Sequence, residues 1–239
     1  MILFYAPDIE SSFALPQEES QHCVRVLRHK KNDIITITDG KGNLFNASIT
    51  DPNPRQCLVE IKSKELQQKS FNYNLHIAIA PTKNIDRLEW MIEKCTEIGI
   101  DQITPLLCHY SERKVVNQER LEKIVVSAAK QSLKTFFPRL NPLTDISQLI
   151  NNATEQQRFI AHCYETQRLD LANELQPHQS TLILIGPEGD FSEQEVKMAI
   201  KQHFVPVTLG KQRLRTETAG VVACNTAAII NQLAENLRI

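Results

Sequence analysis

The segment TLILIGPEGDFSEQEVKMAIKQ, residues 181–202, constrains the fold more than any other. TLILIG is a continuous apolar run of strand length, the pattern of a strand buried on both faces. GPEGDF supplies turn chemistry, and Ser192 with Glu195 forms a capping box that opens an amphipathic helix. Strand, turn and capped helix together make the repeating unit of an α/β domain with a parallel sheet. The same alternation begins at residue 74. NLHIAIAP at 74–81 is a strand, and IDRLEWMIEKCTEIGI at 85–100 is a helix that turns Leu88, Met91, Ile92, Cys95 and Ile98 inward and stops at Gly99. QITPLLC at 102–108 is the next strand. QERLEKIVVSAAKQSL at 118–133 is a helix capped by Asn117, with Leu121, Ile124, Val125 and Ala128 on its apolar stripe. RFIAHC and TQRLDLANEL follow as strand and helix. PVTLG is the last strand, and a helix from about 217 to 237 carries Val222, Thr226, Ile229, Leu233 and Leu237 at helical spacing.

Residues 1–70 have a different texture. ILFY, DIITIT, LFNASIT and CLVEIKS are strand signals, and Asp39-Gly40-Lys41-Gly42-Asn43 marks a hairpin between the second and third. One short helix is expected over QHCVRVLRHKK, 21–31, with Cys23, Val24, Val26 and Leu27 on one arc and His22, Arg25, Arg28 and His29 on the other. Lys30 and Lys31 follow, and no acid interrupts the run from Gln21 to Asn32. The polar stretch KELQQKSFN at 64–72 is the expected boundary, giving a small β-rich domain at 1–70 and an α/β domain at 71–239.

With a formal net charge of -1, the whole-molecule field does not recruit nucleic acid, so any such contact depends on local basic patches. Two are present. The first is His22, Arg25, Arg28, Lys30 and Lys31. The second is AKQSLKTFFPRL, where Lys130, Lys134 and Arg139 flank Phe136 and Phe137, a composition suited to phosphate contact with base stacking, or to aromatic side chains closing a helix end. No apolar run approaches a bilayer span, and the start lacks a basic region followed by a long apolar stretch, so a soluble, cytoplasmic protein is expected. The six cysteines show no CxxC pair. Cys108-His109 and His162-Cys163 lack a further evident ligand, so no metal is expected.

Ligands of open α/β sheets sit at the carboxyl ends of the strands, which directs attention to two turns. Gly186-Pro187-Glu188-Gly189-Asp190 follows a strand and precedes a capped helix, with glycines that allow close backbone approach. LGKQRLRTETAGVVAC, 209–224, begins the final helix with Arg213, Arg215, Thr216 and Glu217 ahead of small residues. GxxxxGK[ST], GxGxxG and GxSxG are all missing, which leaves P-loop, dinucleotide-fold and α/β-hydrolase sites unsupported.

LILIGPEGDFS and LGKQRLRTETAGVVA resemble the two most diagnostic motifs of the SPOUT superfamily, in particular the RsmE-type ribosomal RNA uracil-N3 methyltransferases. HCVRVLRHKKND with TDGKGNLFNA looks like that family's N-terminal PUA-like barrel, and KNIDRLEWMIEKCTEIGIDQITPL like the opening of its methyltransferase domain. The resemblance implies a trefoil knot in the α/β domain, S-adenosylmethionine as cofactor, a homodimer, and one uridine of 16S rRNA in the small ribosomal subunit as substrate. Carried over by position, it implies cofactor contacts from Ile185, Gly186, Pro187, Glu188, Gly189, Leu209, Gly210 and Leu214. It places Arg215, Thr216 and Glu217 toward the reacting base, with Glu217 as general base or orienter and Glu188 as a second candidate. Asp190 stands where a third glycine is frequent, and Arg213 where an apolar residue is usual. The rival readings are a related enzyme acting on tRNA or another rRNA site, and a non-catalytic RNA-binding assembly factor that cannot bind the cofactor.

Overall fold

The protein is described from a computed structural model covering residues 2–69, 71–164 and 168–236. Its chain forms two compact units, Met1–Ser70 with Val126–Phe137, and Phe71–Val125 with Pro138–Ile239. Segment 126–137 therefore groups with the N-terminal residues, where the sequence reading had kept it in the second domain.

In the first unit, β1 (Leu3–Tyr5) pairs in parallel with β2 (Ile34–Thr38), which pairs antiparallel with β3 (Asn43–Asp51), itself antiparallel to β4 (Leu58–Leu66). Phe4, Ile9, Cys23, Ile37, Phe45 and Ile49 are fully buried between this sheet and the short α1 (Ile9–Ser12) and α2 (Gln17–Gln21). The expected hairpin is present, and a distant segment pins its turn. Gly42 N–H donates to the Thr135 carbonyl and Phe137 N–H to the Gly40 carbonyl, both at 2.9 Å. The Phe137 ring packs on Tyr5 at 4.7 Å, and a Cβ on Gly42 would lie 2.3 Å from the Phe136 ring. Both phenylalanines are thus packing residues of this unit.

The helix expected at 21–31 is shorter and wound differently. α2 passes into a single π-turn, His22–Val26, closed by Leu27 N–H donating to the His22 carbonyl at 2.9 Å. Val26 is turned out to 67% exposure, whereas Cys23 is buried and Val24 and Leu27 pack partly buried against the same core, so the expected apolar arc holds except at Val26. Lys30 and Lys31 lie beyond the helix, after Arg28 in the left-handed region at φ 60.

The second unit is built on a parallel sheet. Its strands are β5 (Asn74–Ile79), β6 (Gln102–Leu107), β7 (Arg139–Leu140), β8 (Thr144–Asp145), β9 (Gln157–Ala161), β10 (Leu169–Asp170), β11 (Ser180–Ile185) and β12 (Val205–Thr208). They lie in the order β10-β12-β9-β11-β5-β6-β7, with β8 also on β6. β5 and β11 alternate their side chains between two cores, as strands covered on both faces must. On one face Leu75, Ile77, Ile79, Ile183 and Ile185 meet α3 (Ile85–Ile98), the first turns of α4 (Gln118–Gln131) and α8 (Thr216–Asn236). On the other, Ala78, Ala80, Leu182 and Leu184 meet α5 (Ile146–Asn152) and α7 (Glu193–Lys201).

Asn117 caps α4, its Oδ1 accepting from Arg120 N–H at 3.0 Å, and Gly99 ends α3 at φ 130. TQRLDLANEL is mostly not helical: its described part is β10 followed by the single turn α6 (Leu171–Glu174), and Thr166 and Gln167 lie outside the described residues. The final helix forms, but its buried face is Gly220, Ala223, Cys224, Ala227 and Asn231, whereas Ile229 and Leu233 are exposed at 46% and 56%. Leu237 lies outside the described residues. Small residues face inward because α8 runs so close to α3 that a Cβ on Gly220 would sit 2.9 Å from Met91 Cγ.

A buried polar chain crosses the sheet. Asn141 donates to Thr104 at 2.8 Å, Thr104 lies 2.7 Å from His76 Nε2, and His76 Nδ1 lies 2.8 Å from Glu155. Burial would raise the Glu155 carboxyl, but the hydrogen bonds it accepts, led by that of His76, hold it below the usual range. Replacing His76 by Ala removes one partner from Thr104 and one from Glu155, and we expect a loss of about 1–3 kcal/mol in urea unfolding at neutral pH. The folded pKa of Glu155 is depressed, so its contribution is present above the unfolded carboxylate range and is lost as pH falls through the folded value. The gap between wild type and H76A should therefore narrow in acid, and equal midpoints at neutral pH would show that the chain contributes nothing.

Candidate active site

β5, β9, β11 and β12 end in register, with Ile185 opposite both Ile79 and Ala161, and Val207 opposite Ala161. Their following loops emerge along one edge of the sheet, and three of them, after β9, β11 and β12, enclose a cleft of about 810 Å³. Ile185, Gly186, Pro187, Glu188, Gly189, Leu209, Gly210 and Leu214 all line it, as do Arg215, Thr216 and Glu217. The two turns singled out from sequence therefore face a common space.

The first turn is held by its carboxylates. Glu188 accepts the Lys83 N–H from the loop after β5 at 2.9 Å. Asp190, at φ 66 in the left-handed region that Asp tolerates better than most residues, accepts Cys163 N–H at 2.7 Å and Phe191 N–H at 2.8 Å. Glu195 completes the capping box and also accepts His109 N–H at 2.7 Å. The second turn is open: Gly210 takes φ 120, a conformation suited to glycine, and Lys211, Gln212, Arg213 and Arg215 are exposed.

At the start of α8, Thr216 and Glu217 are buried, each 7% exposed. Glu217 Oε1 lies 3.8 Å from Arg87 Nε on α3, and Oε2 is buried without a partner among the described residues. Arg87, Arg215 and Glu217 also line a second cavity of about 520 Å³ together with Asp86, Trp90 and Thr218. A carboxylate and two guanidinium groups thus stand where the two spaces meet. Arg87 carried no signal in the sequence, because a charged residue in a helix's first turns ordinarily marks a solvated face.

A family model for an RNA methyltransferase domain matches residues 69–228, and one for an RNA methyltransferase PUA domain matches residues 15–62. The chain is 31% identical to ribosomal RNA small subunit methyltransferase E of Synechocystis, over 98% of this chain and 78% of that protein. It belongs to this RNA methyltransferase family. A probable rRNA-methyltransferase from Porphyromonas gingivalis superposes with a TM-score of 0.94 at 43% identity, covering 98% of this chain and all of that one. The ribosomal RNA small subunit methyltransferase E of Neisseria gonorrhoeae, solved bound to S-adenosyl methionine, superposes with a TM-score of 0.82 at 28% identity, each chain covered to 98%.

Within the family frame, sequence reasoning set His162 aside with the metal pairs, yet it lies in the cleft, 4% exposed. Among the described residues no three His, Cys, Asp or Glu side chains gather to hold a metal, no disulfide forms, and no helix is long and apolar enough to cross a membrane. In the first unit, Arg25, Arg28, Lys30 and Lys31 are exposed with no ion pair among the described residues, whereas His22 is half-buried with its ring 6.0 Å from Phe4. The second basic stretch is divided. Lys130 pairs with Glu19 and Lys134 is half-buried, both in the first unit, while Arg139 is an exposed residue of β7 in the second.

Glu188 is engaged as an acceptor for a backbone amide, which fits a loop tether better than a proton acceptor. A Glu188→Gln variant keeps an oxygen for Lys83 N–H and should retain methyl transfer within about threefold, while Glu188→Ala should lose roughly tenfold, since a charge-assisted hydrogen bond contributes about 1.5–3 kcal/mol. Rates of labelled methyl incorporation into small ribosomal subunits decide this, and a Gln variant as impaired as the Ala variant would return Glu188 to the chemistry.

Proposed function

We propose that this protein transfers the methyl group of S-adenosylmethionine to N3 of one uridine in the 16S rRNA of the small ribosomal subunit. The observation that carries the reading is the junction of two cavities at Glu217, Arg87 and Arg215, one large enough for a nucleoside cofactor and the other open to a base. The cofactor supplies an electrophilic methyl group on a sulfonium. The cleft suits it, with an apolar floor from Ile185, Val207, Leu209 and Leu214, glycine turns that allow backbone approach, and a buried carboxylate to balance positive charge.

Transfer to N3 requires that uracil lose its N3 proton as the nitrogen lines up with the methyl group. The free Oε2 of Glu217 is the acceptor or orienter of that proton. Arg215 stabilises the negative charge that develops on the uracil oxygens, while the Arg87 charge, 3.8 Å from the other oxygen, favours the ionised form of Glu217. Thr216 opens α8 and sets the angle at which Glu217 enters the site. Arg213, exposed and farther from Glu217 along the chain, is read as facing the RNA.

The rest of the reading follows from the family. The C-terminal segment is taken to be threaded as a trefoil knot, consistent with two late loops closing one cleft. The first unit is taken to be a PUA-like barrel that holds RNA through Arg25, Arg28, Lys30 and Lys31, with Lys134 and Arg139 as further contacts. A homodimer is supported by Trp90, Ile229 and Leu233, large apolar side chains exposed on α3 and α8. A cytoplasmic location goes with a ribosomal substrate.

The test is incubation with labelled cofactor and small subunits lacking the modification, followed by nucleoside mass spectrometry. We expect 3-methyluridine at one position, and product on tRNA alone would overturn the substrate. Glu217→Gln should lower turnover by about 10²–10⁴-fold, the usual range for a lost acid–base group, with cofactor affinity changed little. Full turnover in E217Q would remove Glu217 from the chemistry.

Charge reversal of both Arg25 and Arg28 should raise the apparent KM for small subunits by at least tenfold while leaving cofactor affinity unchanged, and should flatten the salt dependence of RNA binding. Unchanged kinetics on subunits would exclude this patch from the interface.

A further inference from the structure

His162 follows β9 at the carboxyl edge of the sheet and lines the larger cleft. Its residue exposure is 4%, yet neither Nδ1 nor Nε2 has a hydrogen-bond partner among the described residues. Two buried orphan nitrogens on one ring are uncommon, because each forfeits its hydration without replacement. A core histidine normally finds partners, as His76 does on both nitrogens in the same sheet.

The backbone around this ring is fixed with unusual care. Cys163 N–H donates to Asp190, Tyr164 O–H donates to the Phe191 carbonyl at 2.6 Å, and Arg168 donates to the His162 carbonyl. The Tyr164 ring lies 5.7 Å from the imidazole. These contacts leave only the two ring nitrogens unspent, on a side chain held against the cleft. Asp190, Arg168 and Tyr164 are the ionisable groups around it. Burial, opposed by Asp190 and aided by Arg168, pushes the imidazole below its ordinary value, so the ring is neutral, with one donor and one acceptor nitrogen.

We propose that His162 hydrogen-bonds the nucleoside half of the cofactor, and that Asp190 is the positioning residue that holds the ring in place. The inference rests on the cofactor reading above. The nucleoside half is chosen for two reasons. The methyl group must point to the Glu217 junction, and His162 is absent from the second cavity, so it meets a part of the cofactor away from transfer. A neutral imidazole matches ribose hydroxyls, which both donate and accept.

Calorimetric titration with S-adenosylhomocysteine and with 5′-methylthioadenosine, which lacks the amino-acid half, tests this. We expect His162→Leu to weaken both ligands about tenfold, equivalent to about 1.4 kcal/mol, while the unliganded variant unfolds at or above the wild-type temperature because two orphan polar atoms are gone. His162→Gln, which keeps a donor and an acceptor, should recover part of the affinity, and Asp190→Gly should weaken both ligands while Asp190→Asn, which keeps an oxygen for Cys163 N–H, restores them. Wild-type affinity for both ligands in H162L overturns the proposal, and a loss confined to S-adenosylhomocysteine overturns the nucleoside assignment. If wild type binds neither ligand, the cofactor reading itself fails, an outcome distinct from a silent His162.

Discussion

Three carboxylates within eight residues, Glu188, Asp190 and Glu195, each accept a backbone N–H from the loop after a different strand of the same sheet. Their donors are Lys83 after β5, Cys163 after β9 and His109 after β6. Because β11 lies between β5 and β9, its following turn reaches the loops on both sides. Charge-assisted bonds to amides are among the stronger hydrogen bonds available to a loop, and here they replace the side-chain packing that the strands enjoy lower down. The cleft can therefore keep a defined shape although its outer wall, 210–213, is exposed.

That arrangement depends on the two-sided burial of β5 and β11. Alternate residues of these strands feed two separate cores, which fixes register, since a slip by one would exchange the large side chains facing α3 and α8 with the alanines and leucines facing α5 and α7. Register then sets where each strand ends, and strand ends set which loops meet. Small residues on α8 let it approach α3 closely enough that Arg87 and Glu217, in the first turns of their helices, come within 3.8 Å.

Much of this was legible because it rests on local rules. Buried strands of a parallel sheet are continuous apolar runs, Ser192 and Glu195 spell a capping box, and Gly99 ends a helix. The two cleft turns could be found because ligand sites cluster at strand carboxyl ends and because their motifs resemble a known family. What stayed hidden depends on tertiary contacts. The π-turn at His22–Val26 has no periodic signature that separates it from an α-helix. Phe136 and Phe137 beside basic residues resemble a stacking surface until Tyr5 and Gly42 are seen beneath them. On α8 the larger apolar residues were the visible stripe, but the tight approach selects glycine and alanine for the inside, so size was a misleading guide to burial.

The least economical feature of the fold is the Glu217 carboxylate. One oxygen has Arg87 at a distance too long for a good hydrogen bond, and the other is buried with nothing. An uncompensated buried polar atom costs about 1–3 kcal/mol, a substantial share of the stability of a domain. The start of a helix relieves part of this, since its free amides favour negative charge in the first turn. A glutamine would fill the same volume without the charge. A carboxylate at such a point, between two cavities and beside two arginines, weakens the fold, and the proton-acceptor role proposed for Glu217 would account for it.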